Sequence, residues 1–66
     1  MKIILNGTSK EFTNAKTVAD IVTQTVKEPK HIIAELNGQI IDASQWSVTN
    51  VKNDDVLELV TFVGGG

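Results

Sequence analysis

The sequence predicts an α+β domain in which one helix packs across one face of a mixed β-sheet. Three observations favour this fold class: two Asn-Gly pairs that close hairpins, one helical apolar repeat between them, and an apolar run near the C-terminus. With 66 residues and a hydrophobic content of 41%, the chain can form one two-layer core. We therefore expect a single domain that spans residues 1–66.

The first predicted element is a β-hairpin near the N-terminus. The segment MKIILNG is apolar and β-branched, and it runs into Asn6-Gly7, a pair that favours a tight two-residue turn. The returning segment TSKEFT has Phe12 as its one large apolar residue and carries Lys10 and Glu11. Charged residues of this kind are typical of edge strands, so the second strand is predicted to lie at an edge of the sheet.

The helix is predicted from the segment TVADIVTQTVKEP, whose apolar positions repeat at the spacing of one helix face. The predicted buried stripe consists of Val18, Ile21, Val22, Thr25 and Val26. Thr17 is expected to cap the helix N-terminus, with Asp20 three residues later as its capping-box partner. Pro29 is expected to end the helix.

A second hairpin and a last strand complete the predicted sheet. The segment HIIAELNGQII turns at Asn37-Gly38, with strands over residues 31–36 and 39–41. The polar segment DASQWSVTNVKNDD is interpreted as a connection with a short helical turn, anchored by Trp46. The final segment VLELVTFV is predicted to be a strand that follows a turn at residues 53–55. Its connection to the first strand is long enough for parallel pairing at the centre of the sheet.

Alternation along the predicted strands indicates which side chains face the helix. Glu58 in the last strand and Glu35 in the third strand are expected on the open face, because charged side chains are rarely buried without a partner. The side chains then predicted to point inward are Leu57, Leu59, Thr61, Ile32, Ala34 and Leu36.

The same alternation predicts an apolar patch on the open face, near the C-terminal residues. The patch consists of Ile4, Ile33, Val60 and Phe62. Ile4 is included on the assumption that Ile3 and Leu5 point inward. Because a contiguous exposed apolar patch usually marks a contact surface, we predict that these four side chains bind a partner protein. The alternative is that they only reflect β-propensity, or that a loop residue such as Trp46 covers them.

Side-chain chemistry typical of an enzyme is scarce in this chain. It has no Cys, which excludes disulfides, thiolate metal sites and thiol nucleophiles. His31 is its only His, and the acidic residues lack the spacing of a calcium loop. Six Lys are scattered among eight acids, without the basic stripe of a nucleic-acid binder. We therefore expect no catalytic side chain, no metal site, no permanently bound cofactor and no nucleic-acid partner.

The composition also favours a cytoplasmic protein with no membrane partner. Small secreted domains usually depend on disulfides, and no signal-like apolar run follows Met1. No apolar stretch approaches the ~20 residues that a membrane-spanning helix needs.

The most unusual feature of the sequence is its last three residues, Gly64, Gly65 and Gly66. Glycine has no side chain and a wide conformational range, so residues 64–66 are predicted to form a flexible tail that can enter a narrow channel. The best available reactive group is then the α-carboxylate of Gly66, once ATP has activated it as an anhydride with AMP. With no Cys in the chain, sulfur would have to reside on this terminal carbonyl as a thiocarboxylate. Composition alone does not establish that chemistry.

The whole chain resembles the ubiquitin-like sulfur carriers of thiamine biosynthesis, the ThiS family of the ThiS/MoaD-like superfamily. The resemblance rests on LNG after the first strand, TVADIV at the helix start, LNGQII at the second hairpin, QW in the connection and DDVLELVTFVGGG at the end. The terminal diglycine is typical of ubiquitin-like carriers, and the short length and the FVGGG ending favour the thiamine branch. The resemblance implies a ubiquitin-like β-grasp fold.

The resemblance also implies a function and a set of partners. An ATP-dependent adenylyltransferase related to ubiquitin-activating enzymes would adenylate Gly66. Sulfur that originates from cysteine through a desulfurase would convert the adenylate to a thiocarboxylate. Thiazole synthase would then take this sulfur into the thiazole ring of thiamine.

Residue by residue, the family function falls on Gly65 and Gly66, whereas the third glycine, Gly64, is not a general requirement of such carriers. In this family the apolar sheet face beside the tail docks the activating enzyme. That role supports the prediction that Val60 and Phe62 bind a partner. We extend the same prediction to Ile4 and Ile33.

Several other functions stay open at this point. The small subunit of molybdopterin synthase shares the fold and the diglycine end but delivers sulfur to a pterin precursor. Carriers for other sulfur-containing metabolites or for tRNA thiolation, and protein modifiers that form isopeptide bonds with lysine, are further alternatives. A plain β-grasp binding module that touches RNA is disfavoured by the acidic balance and the terminal glycines.

Overall fold

The computed structural model describes residues 1–62, in which a five-stranded mixed sheet is covered on one face by one α-helix. The strands are β1 (Lys2–Leu5), β2 (Thr8–Glu11), β3 (Ile32–Leu36), β4 (Gln39–Ile41) and β5 (Val56–Thr61), and the helix is α1 (Val18–Thr25). Short 3₁₀ turns occupy Pro29–His31 and Ala43–Val48. The predicted α+β class and the predicted order of elements are confirmed.

The strand order is β2-β1-β5-β3-β4, so the last strand of the chain lies at the centre of the sheet. β5 runs parallel to β1 and antiparallel to β3, as the long connection between β1 and β5 allowed. β2 is an edge strand with all four residues exposed, which confirms the prediction from its charges.

Both predicted Asn-Gly turns are present and adopt left-handed backbone conformations. The φ angles are 49° at Asn6 and 82° at Gly7, and 51° at Asn37 and 84° at Gly38. Two successive residues with positive φ define the tight turn whose twist matches that of a hairpin, and Asn followed by Gly tolerates it best. The two dipeptides therefore fix the register of both hairpins.

Each turn also ties its Asn side chain to β5. The Asn6 Oδ1 atom accepts a hydrogen bond of 2.8 Å from the Leu59 backbone N–H, and the Asn37 Oδ1 atom accepts one of 2.9 Å from the Val56 N–H. Asn37 Nδ2 in turn donates to the carboxylate of Asp55, at 3.1 Å. The two turns thus satisfy backbone donors of the central strand.

The N-terminus of α1 carries the predicted capping box. The Thr17 hydroxyl accepts from the Asp20 N–H at 3.2 Å, and the Asp20 carboxylate accepts from the Thr17 N–H at 3.0 Å. Backbone N–H groups of Lys16 and Thr17 donate to this carboxylate and hold the pKa of Asp20 below its ordinary value.

The helix C-terminus differs from the prediction. α1 ends at Thr25, and Val26 already has an extended backbone with φ −124° while its N–H still bonds to the Val22 carbonyl. Pro29 does not end the helix but begins the 3₁₀ turn, where its missing N–H is tolerated. β-branched residues at positions 25 and 26 have weak helix propensity, which explains the earlier end. Thr25 is also exposed, so it does not belong to the buried stripe.

The core lies between α1 and the inner face of the sheet. Its buried side chains are Ile3, Leu5, Phe12, Val18, Ile21, Val22, Ile32, Ala34, Trp46, Val51, Leu57 and Leu59. Trp46 anchors the connection before β5, as predicted, and its Nε1–H donates to the Ile41 carbonyl at 3.0 Å. Within residues 1–62, no helix is long and apolar enough to cross a membrane.

The predicted inward and outward phases of the strands hold, with one difference in burial. Ile3 and Leu5 point inward, which places Ile4 on the open face. Thr61 follows the inward phase of Leu59 but is exposed, because it lies at the end of β5 and borders an open groove. β5 ends at Thr61, earlier than the predicted strand over residues 56–63.

Candidate functional site

The predicted reactive end of the chain, Gly64, Gly65 and Gly66, lies outside the residues that the structure describes, and so does the predicted tail character of residues 64–66. The structure does describe the surface that precedes these residues, at the C-terminal end of β5. Because β5 is the central strand, this surface lies at the middle of the sheet and not at one of its edges.

Three of the four predicted docking residues gather at this end of the sheet. Ile33 on β3 pairs directly with Val60 on β5, and alternation places Phe62 on the same face two residues further. Their exposed fractions are 39%, 51% and 40%, respectively. We call Ile33, Val60 and Phe62 the terminal cluster. It forms an exposed apolar surface immediately before residues 63–66.

His31 lies against the terminal cluster, although we predicted no role for it from the sequence. Its imidazole stacks on the Phe62 ring with centroids 5.7 Å apart and an angle of 28° between the planes. The His31 carbonyl also accepts a 2.9 Å hydrogen bond from the Phe62 N–H. The contact between His31 and Phe62 follows from the antiparallel register of β3 and β5. Ile32 pairs with Thr61, so the next pair outward is His31 with Phe62.

Ile4 does not join the terminal cluster. Parallel pairing places Ile4 beside Val56, at the opposite end of β5, where both side chains are 38% exposed. Val56 and Val60 are four residues apart, which is about 13 Å along a strand. Glu58 lies between them on the same face, so the expected single patch is divided in two. The reason is register: β1 ends at Leu5 and reaches only the first residues of β5.

A pair of like charges separates the two apolar areas. Glu58 on β5 lies directly opposite Glu35 on β3, and both side chains are half-buried. Like charges at directly opposed positions of neighbouring strands destabilise a sheet. In the sequence these residues only indicated which face is open, because their cross-strand pairing depends on the register of β3 and β5.

No group of three or more His, Cys, Asp or Glu side chains within the described residues could hold a metal ion. The buried carboxylate of Asp55 has a structural environment instead. It accepts hydrogen bonds from the Asn37 side chain at 3.1 Å and from the Lys52 backbone N–H at 2.8 Å. Asp55 therefore fixes the turn that leads into β5.

Comparison with known proteins links this geometry to one family. The model of the ThiS family matches residues 3–66. The sulfur carrier protein ThiS of Bacillus subtilis is 33% identical over 63 residues, which cover 94% of this chain and 96% of that protein. A thiazole synthase of Paramagnetospirillum magneticum is 30% identical over 66 residues, which cover 100% of this chain. The chain spans only 20% of the length of that second relative.

Two solved structures show the same fold. The crystal structure of a thiamine biosynthesis protein (ThiS) from Geobacter metallireducens superposes with a TM-score of 0.84 at 28% identity and covers 100% of both chains. An NMR solution structure of a thiamine biosynthesis protein from the same organism gives a TM-score of 0.75, again at 28% identity, and covers 100% of this chain and 88% of that one. The predicted β-grasp fold is confirmed.

Proposed function

Because this chain belongs to the ThiS family, we propose that it is a sulfur carrier of thiamine biosynthesis. The observation that carries the proposal is the family match, which extends through the terminal glycines to residue 66. The relative from Bacillus subtilis is named as a sulfur carrier and aligns with almost the whole chain. A protein of this family carries sulfur for other enzymes and is not itself a catalyst.

The proposed working group is the α-carboxylate of Gly66. In a partner adenylyltransferase that resembles ubiquitin-activating enzymes, a carboxylate oxygen attacks the α-phosphorus of ATP and pyrophosphate leaves. A sulfur nucleophile then attacks the carbonyl carbon, and AMP leaves with the electrons of the broken C–O bond. When the nucleophile is the persulfide that a desulfurase forms from cysteine, a thiol reductant then cleaves the S–S bond of the resulting acyl disulfide. The product is a thiocarboxylate in which sulfur has replaced one oxygen. ATP is a substrate of the partner and not a resident cofactor of this chain.

In this proposal Gly64 and Gly65 allow the terminal carboxylate to enter the active site of the partner enzyme. Residues without side chains let the backbone approach reacting groups closely, and they do not block the carbonyl from the nucleophile. The terminal cluster has the complementary role of docking. Its exposed apolar side chains lie directly before residues 63–66, so a partner that binds them is positioned to receive the terminus.

Thiazole synthase is the proposed acceptor of the sulfur. In Paramagnetospirillum magneticum, a protein named thiazole synthase contains a segment similar to this entire chain. That combination supports a carrier and an acceptor that work together. It also favours the thiazole of thiamine over a pterin precursor as the destination of the sulfur.

The decisive measurement is the intact mass of the protein after incubation with ATP, the cognate adenylyltransferase and a sulfur source. We expect an increase of about 16 Da, as one oxygen is replaced by sulfur. A variant without Gly66 is the matched control and should show no increase. A wild-type mass that stays unchanged with active partner enzymes would contradict the proposal, and conjugates on larger proteins would indicate a protein modifier.

A second measurement identifies the acceptor. The thiocarboxylated protein is mixed with thiazole synthase and the other thiazole precursors, and its mass should return to the starting value as thiazole forms. The assignment of thiazole synthase as acceptor would be reversed by two results together. The carrier would keep its sulfur with thiazole synthase, and it would lose the sulfur to a pterin precursor when a molybdopterin synthase large subunit is present.

A further inference from the structure

β5 is the central strand of the sheet, but its C-terminal half has a neighbouring strand on one side only. Its even-numbered residues direct their backbone N–H and carbonyl groups to the β3 side, and the 2.9 Å hydrogen bond from the Phe62 N–H to the His31 carbonyl continues this pattern. Its odd-numbered residues direct their backbone groups to the β1 side, where the Asn6 N–H donates to the Leu57 carbonyl at 3.0 Å. However, β1 ends at Leu5, so it cannot continue beside the rest of β5.

The Asn6 side chain provides one further hydrogen bond on this side of β5, beyond the end of β1. Its Oδ1 atom accepts from the Leu59 N–H at 2.8 Å, in the place that a further strand residue would take. The next groups on the same side are the Leu59 carbonyl and the Thr61 N–H. Within residues 1–62, neither of these two groups has a hydrogen-bond partner. An acceptor and a donor are therefore presented together at the spacing of a strand.

A groove of about 450 Å³ lies beside these two groups, on the helix side of the sheet. Its walls include Leu59 and Thr61 from β5, Asn6 from the first turn, Val26 from the end of α1 and Lys10 from β2. The groove thus combines apolar side chains such as Leu59 and Val26 with polar ones and the cationic Lys10. It can accept a side chain of a segment that pairs with β5.

We propose that this half of β5 binds an extended segment of a partner protein, which pairs with the Leu59 carbonyl and the Thr61 N–H. The segment places an apolar side chain in the groove, and a carboxylate on it would complement Lys10. Addition of a strand to an exposed edge obtains its affinity from main-chain hydrogen bonds and its specificity from side-chain pockets. This mode of docking is distinct from contact with the terminal cluster, which lies on the opposite face of the sheet.

The inference names a recognition element of the partner enzymes, so it rests on the proposed function. The two purified enzymes, the cognate adenylyltransferase and the cognate thiazole synthase, serve as the probes. Hydrogen exchange of single amides is measured in the free carrier and in each complex. We expect the Thr61 N–H to exchange rapidly in the free protein and to become protected in at least one complex. The Phe62 N–H, already bonded to β3, is the internal reference.

A backbone variant isolates the hydrogen bond. Total chemical synthesis can replace the amide that contains the Thr61 N–H with an ester, which removes this donor and keeps the Val60 carbonyl on the β3 side as a weaker ester acceptor. We expect the ester to weaken binding of the partner about two- to tenfold, as for the loss of one hydrogen bond. The same amide-to-ester replacement at Ser44, an exposed residue that does not line the groove, is the matched control, and it should bind within about twofold of wild type.

Unchanged affinity of the ester variant, together with an unprotected Thr61 N–H in both complexes, would overturn the inference. The rise in mass of the wild-type carrier on thiocarboxylation would persist in that case, so the proposed function would stand. Protection of the Thr61 N–H that depends on carrier concentration and not on an enzyme would indicate pairing with a second copy of this chain, which also overturns the inference.

Discussion

The two halves of β5 differ in how they are held. The N-terminal half lies between β1 and β3, and Asp55 and the Asn37 side chain fix its start. The C-terminal half pairs with β3 alone and presents the exposed terminal cluster. One strand therefore anchors the core at one end and leaves apolar side chains exposed at the other, where we propose that partners bind. Substitutions in the first half should change the free energy of unfolding, and those in the second half should change binding.

The largest contrast is expected from truncation of one side chain in each half. Leu57 is fully buried in the doubly paired half, whereas Val60 is 51% exposed. Leu57→Ala should lower the free energy of unfolding by about 2–5 kcal/mol, since it removes core contacts and leaves a cavity. Val60→Ala should lower it by less than about 1 kcal/mol. Urea denaturation measures both, and similar losses for the two variants would remove the distinction between the halves.

The turn before β5 provides the next largest effect. Asp55→Asn replaces an acceptor of two hydrogen bonds by a group that can accept only through one oxygen. We expect a loss of about 1–3 kcal/mol in the free energy of unfolding. The neighbouring Asp54→Asn is the matched control. It lies on the surface at φ 72°, which Asn tolerates, and should change stability by less than about 0.5 kcal/mol. If Asp55→Asn leaves the midpoint of urea denaturation unchanged, the hydrogen bonds of Asp55 do not stabilise the start of β5.

In the C-terminal half, the main effect should appear in binding. Phe62→Glu introduces a charge into the terminal cluster and should weaken binding of the adenylyltransferase by about tenfold, or about 1.4 kcal/mol. The melting temperature should change little, because Phe62 is 40% exposed. Val48→Glu, at a 70% exposed apolar residue outside the sheet, is the control for an added charge. Equal affinities of both variants and wild type, measured by calorimetry, would exclude the terminal cluster as the docking surface.

The smallest effect is expected where the two halves meet. Glu58→Gln removes the repulsion with Glu35 and should raise the free energy of unfolding by about 0.2–1 kcal/mol. Glu35→Gln should give a similar gain, and the double variant should gain less than the sum of the two. Both gains should shrink in high salt, which screens charges that water reaches. A loss of stability in either single variant would show that the carboxylates have other favourable contacts.

Most of the fold could be predicted because local rules determine it. The Asn-Gly pairs required specific left-handed turns, Thr17 and Asp20 identified the start of the helix, and the positions of two glutamates identified the open face. The end of the helix was less predictable, since the weak propensities of Thr25 and Val26 compete with packing. The stop expected at Pro29 was therefore four residues too late.

The candidate site could be predicted only in part, because its arrangement depends on pairing between distant segments. The position of Ile4 follows from the register of β1 on β5, which no local pattern encodes. The contact of His31 with Phe62 likewise follows from the register of β3 on β5. The roles of Gly64, Gly65 and Gly66 lie outside the described residues and stay predictions, as does the cytoplasmic location. These roles depend on the chemistry of a terminus, which packing does not reveal.

Trp46 gives this protein a built-in optical reporter. It is the only tryptophan of the chain, it is 8% exposed, and it packs in the core on the helix side of the sheet. Its indole emission should shift to longer wavelength when the core opens to water. The terminal cluster lies on the other face, so an enzyme docked there should leave this emission largely unchanged. Fluorescence can therefore follow unfolding of the carrier even while its terminus is engaged by a partner.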